Sequence, residues 1–122
     1  MFKRILVGTV IEEGQRLIDE LRRHRFSIRE AGWRYVPESS EWRLTIVAPS
    51  VDRRGYLAAY DRVQKGLERV GAEELSITDI SVISPEGWDY DNYRSAVGYQ
   101  GRGGALGKVP QVVYEDAYIY RL

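Results

Sequence analysis

The segment from residue 98 to residue 108 has the residue types of an anion-binding loop. Its five glycines allow consecutive backbone N–H groups to converge on an anion, and Arg102 and Lys108 would add positive charge. The spacing differs from that of a phosphate-binding P-loop, because the glycines are one residue too far apart and Val109 follows the lysine. A plain connecting loop is favoured, with Arg102 and Lys108 as the anion-binding candidates. A nucleotide- or phosphate-dependent enzyme is the least favoured class.

The other groups that could perform chemistry are few. Glu86, Asp89 and Asp91 offer carboxylates, but they lack the glycine and the distant glutamate of a calcium loop, and turn or helix-cap roles explain them. His24 is the only histidine, there is no cysteine, and no nucleophile elbow is present. The sequence therefore predicts no catalytic residue, no metal site and no cofactor, and it favours a protein that is not an enzyme.

Aromatic residues are the remaining candidates, with three Trp and nine Tyr in the chain. Near the C-terminus, tyrosines alternate with aliphatic residues, so a strand there would have one tyrosine face and one aliphatic face. We expect the aliphatic face to enter the core and the tyrosine face to stay open, although tyrosine rings also fill cores. The predicted binding residues are Tyr114, Tyr118, Tyr120, Trp33 and Arg43.

These residues need a sheet to position them, and the stretch from Glu41 to Ser50 predicts its central strand. Trp42, Leu44 and Ile46 alternate with polar or smaller residues, which is the period of a strand with one buried face, and Pro49 ends it. The preceding run over residues 26–35 predicts a second strand. The short turn between the two favours an antiparallel hairpin in which Trp33 and Tyr35 meet Trp42 and Leu44.

Two amphipathic helices are predicted around this hairpin. The first covers residues 9–24 and begins with a capping box made by Thr9 and Glu12. The second begins at Ser50 or Asp52 and stops at Gly71, with apolar residues at spacings of three and four: Leu57, Tyr60, Val63, Leu67 and Val70. A strand over 79–84, a short helix over 90–97 and a last strand over 112–122 complete the predicted elements.

Together these elements predict a single α+β domain over residues 1–122. A small, mostly antiparallel sheet has two main helices packed on one face, in the order helix, strand, strand, helix, strand, short helix, strand. No signal peptide or membrane-spanning run is predicted, and the absence of cysteine fits a cytoplasmic location.

A resemblance supports this fold. The resemblance begins with the pattern Trp33-x-Tyr35-x-Pro37-Glu38 and continues in the segments at 41–44, 79–82 and 115–122 and in Ala48-Pro49, Val51-Asp52, Gly55 and Ala59-Tyr60. In these residues the chain resembles a group of small uncharacterised bacterial proteins. The resemblance implies a compact α/β domain and no particular chemistry.

Two functions remain open. The leading hypothesis is a non-enzymatic interaction or accessory protein that assembles with itself or with a protein partner through an aromatic and arginine-bearing sheet face. The alternative is nucleic-acid binding, with bases stacked on the open sheet and phosphates bound by Arg22, Arg23, Arg25, Arg34 and Arg43. The net charge is zero, but residues 1–70 hold 14 basic against 10 acidic side chains.

Overall fold

The computed structural model describes residues 5–97, 112–113 and 117–122. In chain order its elements are β1 (Leu6–Val7), α1 (Gly8–Arg23), β2 (Glu30–Val36), β3 (Glu41–Val47), α2 (Val51–Val70), a 3-10 turn (Ile77–Asp79), β4 (Ile80–Ile83), α3 (Trp88–Val97), β5 (Val112–Val113) and β6 (Ala117–Ile119). The predicted α+β class and the order of the main elements are confirmed. The glycine-rich segment lies outside the described residues.

Four strands form one mixed, mostly antiparallel sheet in the order β4-β3-β2-β6. The predicted hairpin is confirmed, because β2 and β3 pair with Trp33 opposite Leu44 and Tyr35 opposite Trp42. β6 adds antiparallel to β2, whereas β4 adds parallel to β3 after the α2 crossover. The predicted last strand is divided, since β5 pairs with β1 in a separate small sheet while β6 joins the main one.

The main core lies between one face of the sheet and the helices α1 and α2, as predicted. Its fully buried side chains come from both helices and from alternate positions of the strands, because successive strand residues point to opposite faces. The largest of them are Trp33, Ile11, Leu17, Ile18, Leu21, Leu44, Ile46, Ile80, Val63 and Val82.

The helix limits agree with the sequence, but some predicted details do not. The capping box of Thr9 and Glu12 is wrong, because α1 already begins at Gly8 and its N-cap makes no side-chain hydrogen bond. Ser50 does take the N-cap position of α2, also without a side-chain cap. Gly71 ends α2, as predicted, and it does so in the left-handed conformation.

Leu57 does not belong to the buried face of α2, although the sequence placed it there. Its side chain is 88% exposed. The face that packs on the core is set by Ala59, Val63 and Leu67, which recur every four residues, and Leu57 lies on the far side of that stripe.

The second face of the sheet is partly covered, which the sequence did not predict. α3 packs there, and Tyr93 joins Val47, Ile83 and Ala117 in a second, smaller buried cluster. Among residues 5–97, 112–113 and 117–122, the part of this face that α3 does not cover is open.

A buried carboxylate fixes the segment that follows α2. Glu13 of α1 accepts hydrogen bonds from the backbone N–H groups of Glu73, Glu74 and Leu75, at 3.1, 2.9 and 2.8 Å. Burial raises the pKa of Glu13, but these three donors and Arg16 lower it by more, so the net shift is downward. The ionised carboxylate therefore stabilises the connection between α2 and β4.

Two leucines test how the core is placed. Leu44 is fully buried and Leu57 is 88% exposed, so Leu44→Ala should lower the free energy of unfolding by about 2–5 kcal/mol. The matched change Leu57→Ala should alter it by less than about 0.5 kcal/mol. Urea denaturation measures both, and equal losses would contradict this assignment of the faces.

Glu13 should make stability depend on pH. Because its pKa is lower in the folded than in the unfolded protein, its contribution is complete at neutral pH. That contribution is lost as the pH falls below the ordinary glutamate pKa of about 4.3 and through the lowered folded value. Glu13→Gln should cost about 1–3 kcal/mol at pH 7 and flatten the acid limb of a stability–pH curve. Glu12→Gln, an exposed neighbour, is the control and should leave that limb unchanged.

Candidate functional site

The aromatic residues predicted to form an open binding face lie in the main core. Trp33, Tyr118 and Tyr120 are only 2%, 7% and 4% exposed. β6 pairs with β2 so that Tyr118 is opposite Trp33. The rings of Tyr118 and Tyr120 meet edge to face, with their centroids 5.3 Å apart. The prediction of an open tyrosine face is therefore wrong, and Ala117 and Ile119 are the residues on the second face.

A buried hydrogen-bond chain explains why the tyrosines turn inward. The Tyr120 hydroxyl accepts a hydrogen bond from Trp33 Nε1 at 2.8 Å and donates to the carbonyl oxygen of Ile11 at 2.7 Å. Gly14 makes room for it, because a Cβ there would come within 2.2 Å of the hydroxyl oxygen. Burial raises the pKa of Tyr120 by more than the Trp33 hydrogen bond lowers it. The hydroxyl therefore stays protonated and can donate its hydrogen bond to Ile11.

The hydrogen bonds of Tyr120 give a direct test of the inward orientation of the tyrosines. Tyr120→Phe removes both hydrogen bonds and leaves a buried indole N–H and a buried carbonyl without their partner, so it should cost about 1–3 kcal/mol. Tyr118→Phe is the matched control, since the Tyr118 hydroxyl bonds to no other described residue, and it should change stability by less than about 0.5 kcal/mol. Thermal and urea unfolding measure both. A folded Tyr120→Phe of unchanged stability would contradict the inward placement.

Arg43, the other predicted binding residue within this sheet, serves mainly to join two strands. From the second face of β3 its guanidinium donates to Ser81 Oγ at 2.9 Å and to the carbonyl oxygens of Thr78 and Ile80, both at 3.1 Å. Three of its five N–H donors are therefore occupied. Arg34 is its register partner on β2 and makes no hydrogen bond or ion pair within the described part of the chain.

A second surface, where α1 ends and α2 begins, carries more arginines than the two, Arg34 and Arg43, on the second face of the sheet. α1 ends in a Schellman motif, with Phe26 N–H bonded to the Leu21 carbonyl at 2.9 Å and Arg25 N–H bonded to the Arg22 carbonyl at 3.0 Å. Arg25 occupies the left-handed position of this motif, with φ 64°, where glycine is the usual residue. The turn therefore presents an arginine at a place where a side chain is disfavoured.

α2 adds three more arginines beside this turn, Arg53 and Arg54 near its start and Arg62 near its middle. A groove of about 390 Å³ between the two helix ends is lined by Arg25, Arg53, Arg54 and Arg62, which we call the arginine cluster. Arg62 donates to the His24 carbonyl oxygen at 2.7 Å, and its guanidinium lies 5.3 Å from the centre of the Phe26 ring. None of the four forms an ion pair with a carboxylate of the described residues.

The predicted nucleic-acid contacts are divided between two places. Arg22 and Arg25 belong to the end of α1, whereas Arg34 and Arg43 lie on the second face of the sheet. Arg23 is already paired, because its guanidinium lies 2.6 Å from a carboxylate oxygen of Glu20. The same Glu20 side chain also lies 2.8 Å from His24 Nε2. The predicted arginines therefore do not form one continuous surface.

Sequence reasoning missed Arg53, Arg54 and Arg62. A signal was present, since Arg53 and Arg54 form a doublet in the first turn of a predicted helix. Their proximity to Arg25 comes only from the packing of α2 against α1.

The remaining candidates either lie outside the described residues or form no metal-binding group within them. Tyr114, Arg102 and Lys108 lie outside the described residues, so their proposed roles stay predictions. Asp89 and Asp91 lie in the first turn of α3. Among residues 5–97, 112–113 and 117–122, no group of three or more His, Cys, Asp or Glu side chains is placed to hold a metal ion.

No helix in the described part of the chain is both long and apolar enough to cross a membrane. Comparisons with protein-family models, with curated proteins and with solved structures find no match. The resemblance to small bacterial proteins stays a prediction, because none of these comparisons tests it.

Proposed function

We propose that this protein is a non-enzymatic nucleic-acid-binding protein that contacts the phosphate backbone through the arginine cluster. The observation that carries the proposal is the concentration, at the junction of α1 and α2, of guanidinium groups that have no carboxylate partner among the described residues. Guanidinium groups bind phosphate oxygens in a bidentate manner, so arginine is the residue best suited to this contact.

The local charge balance supports a polyanionic partner. Four arginines line the groove, and the only carboxylate that lines it, Asp61, is paired with Lys65 at 3.0 Å. The chain as a whole is neutral, so this local excess of positive charge is balanced by acidic residues elsewhere. A protein of zero net charge can therefore still attract a polyanion to one face.

The conformation of Arg25 supports the same conclusion. A non-glycine residue in the left-handed region costs about 1 kcal/mol, and such strain is concentrated at functional sites. Glycine in this Schellman position would relieve the strain but remove the charge. An arginine at this position therefore suggests a role other than ending the helix.

The proposal differs from the predicted mode of binding. Bases cannot stack on Trp33, Tyr118 or Tyr120, which are buried. Contacts made by exposed arginines to phosphates carry no sequence information by themselves. We therefore propose binding governed by charge and backbone shape, and as part of this proposal we place the protein in the cytoplasm, where nucleic acid is abundant.

Fluorescence anisotropy with labelled oligonucleotides of about 20 nucleotides tests the proposal. The logarithm of the association constant should fall with the logarithm of salt concentration with a slope of roughly −3, from four phosphate contacts of about 0.7–0.9 each. Arg53→Ala combined with Arg54→Ala should reduce that slope by about one half. Arg25→Gly should weaken binding while leaving the fold equally or more stable, because it also relieves the strained φ.

The control removes the same charge elsewhere. Arg94→Ala combined with Arg121→Ala lowers the net charge equally at two exposed positions outside the cluster. It should leave the salt slope almost unchanged. Equal losses in both double variants would mean that only net charge matters, and absence of binding at low salt would refute the proposal.

Assembly with a protein partner or with a second copy remains the second candidate, on a different surface from the one predicted. Tyr56, Leu57 and Trp88 are 47%, 88% and 72% exposed, and large apolar side chains of this kind favour protein contacts. The salt series separates the two functions. An apolar protein interface should persist at salt concentrations that release nucleic acid.

A further inference from the structure

A polar cleft lies on the second face of the sheet, and its lining shares no residue with the arginine cluster. It encloses about 330 Å³, within the range of small-molecule sites. Strands β2, β3 and β4 form its floor, α3 forms one wall, and Tyr56 and Tyr60 of α2 line it as well.

The floor is built from neighbouring rows of residues. One row runs across the three strands from Gly32 through Thr45 to Ser81. The adjacent row of the same face places Arg34 opposite Arg43. These rows are polar, whereas the next residues on the same face, Val47 and Ile83, are apolar and covered by α3. The cleft therefore joins a charged end to an apolar end.

The two arginines of the floor differ in their availability. Arg43 is held by its hydrogen bonds to Ser81, Thr78 and Ile80, and its nearest carboxylate is Glu41 at 3.7 Å. Arg34 is only half-buried and has no hydrogen bond or ion pair within the described ranges. Its guanidinium is thus the cation of the cleft that can take a new partner.

Tyr93 contributes a polar atom without a partner. It is 1% exposed, and its hydroxyl has no hydrogen-bond partner among the described residues. The hydroxyl lies directly over Gly32, where an added Cβ would come within 2.6 Å of it. Gly32 and Arg34 are two residues apart on one face of β2, so the hydroxyl lies close to the row that holds the free guanidinium.

A buried hydroxyl without a partner is unfavourable by about 1–3 kcal/mol, and native structures contain few. The neighbouring acceptor, Glu30, already binds Tyr90 and Arg94. Burial, with smaller contributions from Glu30 and Tyr90, raises the pKa of Tyr93, so its hydroxyl is a donor at neutral pH. The donor therefore lacks an acceptor that a bound molecule can supply.

We propose that the cleft binds a small organic carboxylate, with its two oxygens on the Arg34 guanidinium and one of them accepting a hydrogen bond from the Tyr93 hydroxyl. A planar guanidinium fork matches a carboxylate in geometry and charge. One free cation, with Asp89 also lining the cleft, suits a monoanion better than a phosphate dianion. Tyr56, Tyr60 and Ile83 provide the contact surface for the apolar body of the ligand.

Nuclear magnetic resonance titration of the whole chain tests this proposal with sodium benzoate as the probe, benzyl alcohol as its neutral analogue, and inorganic phosphate. Benzoate should shift the Arg34 Nε–H signal and the amides of Gly32 and Tyr93 in a saturable way, whereas benzyl alcohol should not. Arg34→Gln should weaken benzoate binding by about tenfold or more, and Tyr93→Phe by about two- to tenfold.

Arg29→Gln is the matched control, because it removes the same charge from an exposed residue just before β2. It should leave benzoate binding unchanged. Tyr93→Phe should leave the ligand-free melting temperature unchanged or raise it, since it removes an unpaired group. A lower melting temperature would mean that water already satisfies the hydroxyl, which would overturn the proposal.

Three further results would overturn it, and two of them need only the native chain. These are equal shifts with benzyl alcohol and benzoate, phosphate binding as tight as benzoate binding, and equal weakening by Arg29→Gln and Arg34→Gln. No outcome depends on nucleic acid, so the carboxylate site and the arginine cluster succeed or fail separately.

Discussion

The hydroxyl of Tyr120 joins three distant parts of the chain at one buried point. It accepts a hydrogen bond from the Trp33 indole N–H of the sheet and donates one to the Ile11 carbonyl oxygen of α1. Because a buried polar group needs its partners, this arrangement leaves β6 little freedom to turn its other face inward. The inward tyrosines therefore determine which side of the last strand, and so which side of the sheet, is left for other elements.

What remains on the second face follows from that choice. Ala117 is small, so α3 can approach closely, and Tyr93 packs with Val47 and Ile83. Tyr93 reaches across Gly32 because no side chain stands in its way. α3 thus covers the apolar end of this face, and the polar end with Arg34 is left as a cleft.

The charges are arranged by a similar division. Two acidic residues of α1 are engaged in structural contacts: Glu13 binds three backbone N–H groups, and Glu20 binds Arg23, His24 and Arg69. Arg25 and the arginines that open α2 have no such partner in the described residues. The packing of α2 against α1 therefore turns separate positive residues into one surface, although the net charge is zero.

The sequence by itself determined the main helices and the central strands, because their signals are local: the alternation of Trp42, Leu44 and Ile46, the helical spacing of Val63 and Leu67, and the stop at Gly71. It also determined the hairpin, since a short turn joins its strands. It did not determine which face of β6 is buried, because alternation defines two faces without ranking them. That choice, like the meeting of Arg25 with Arg53 and of Tyr93 with Gly32, depends on contacts between residues far apart in the chain, and only the tertiary structure decided it.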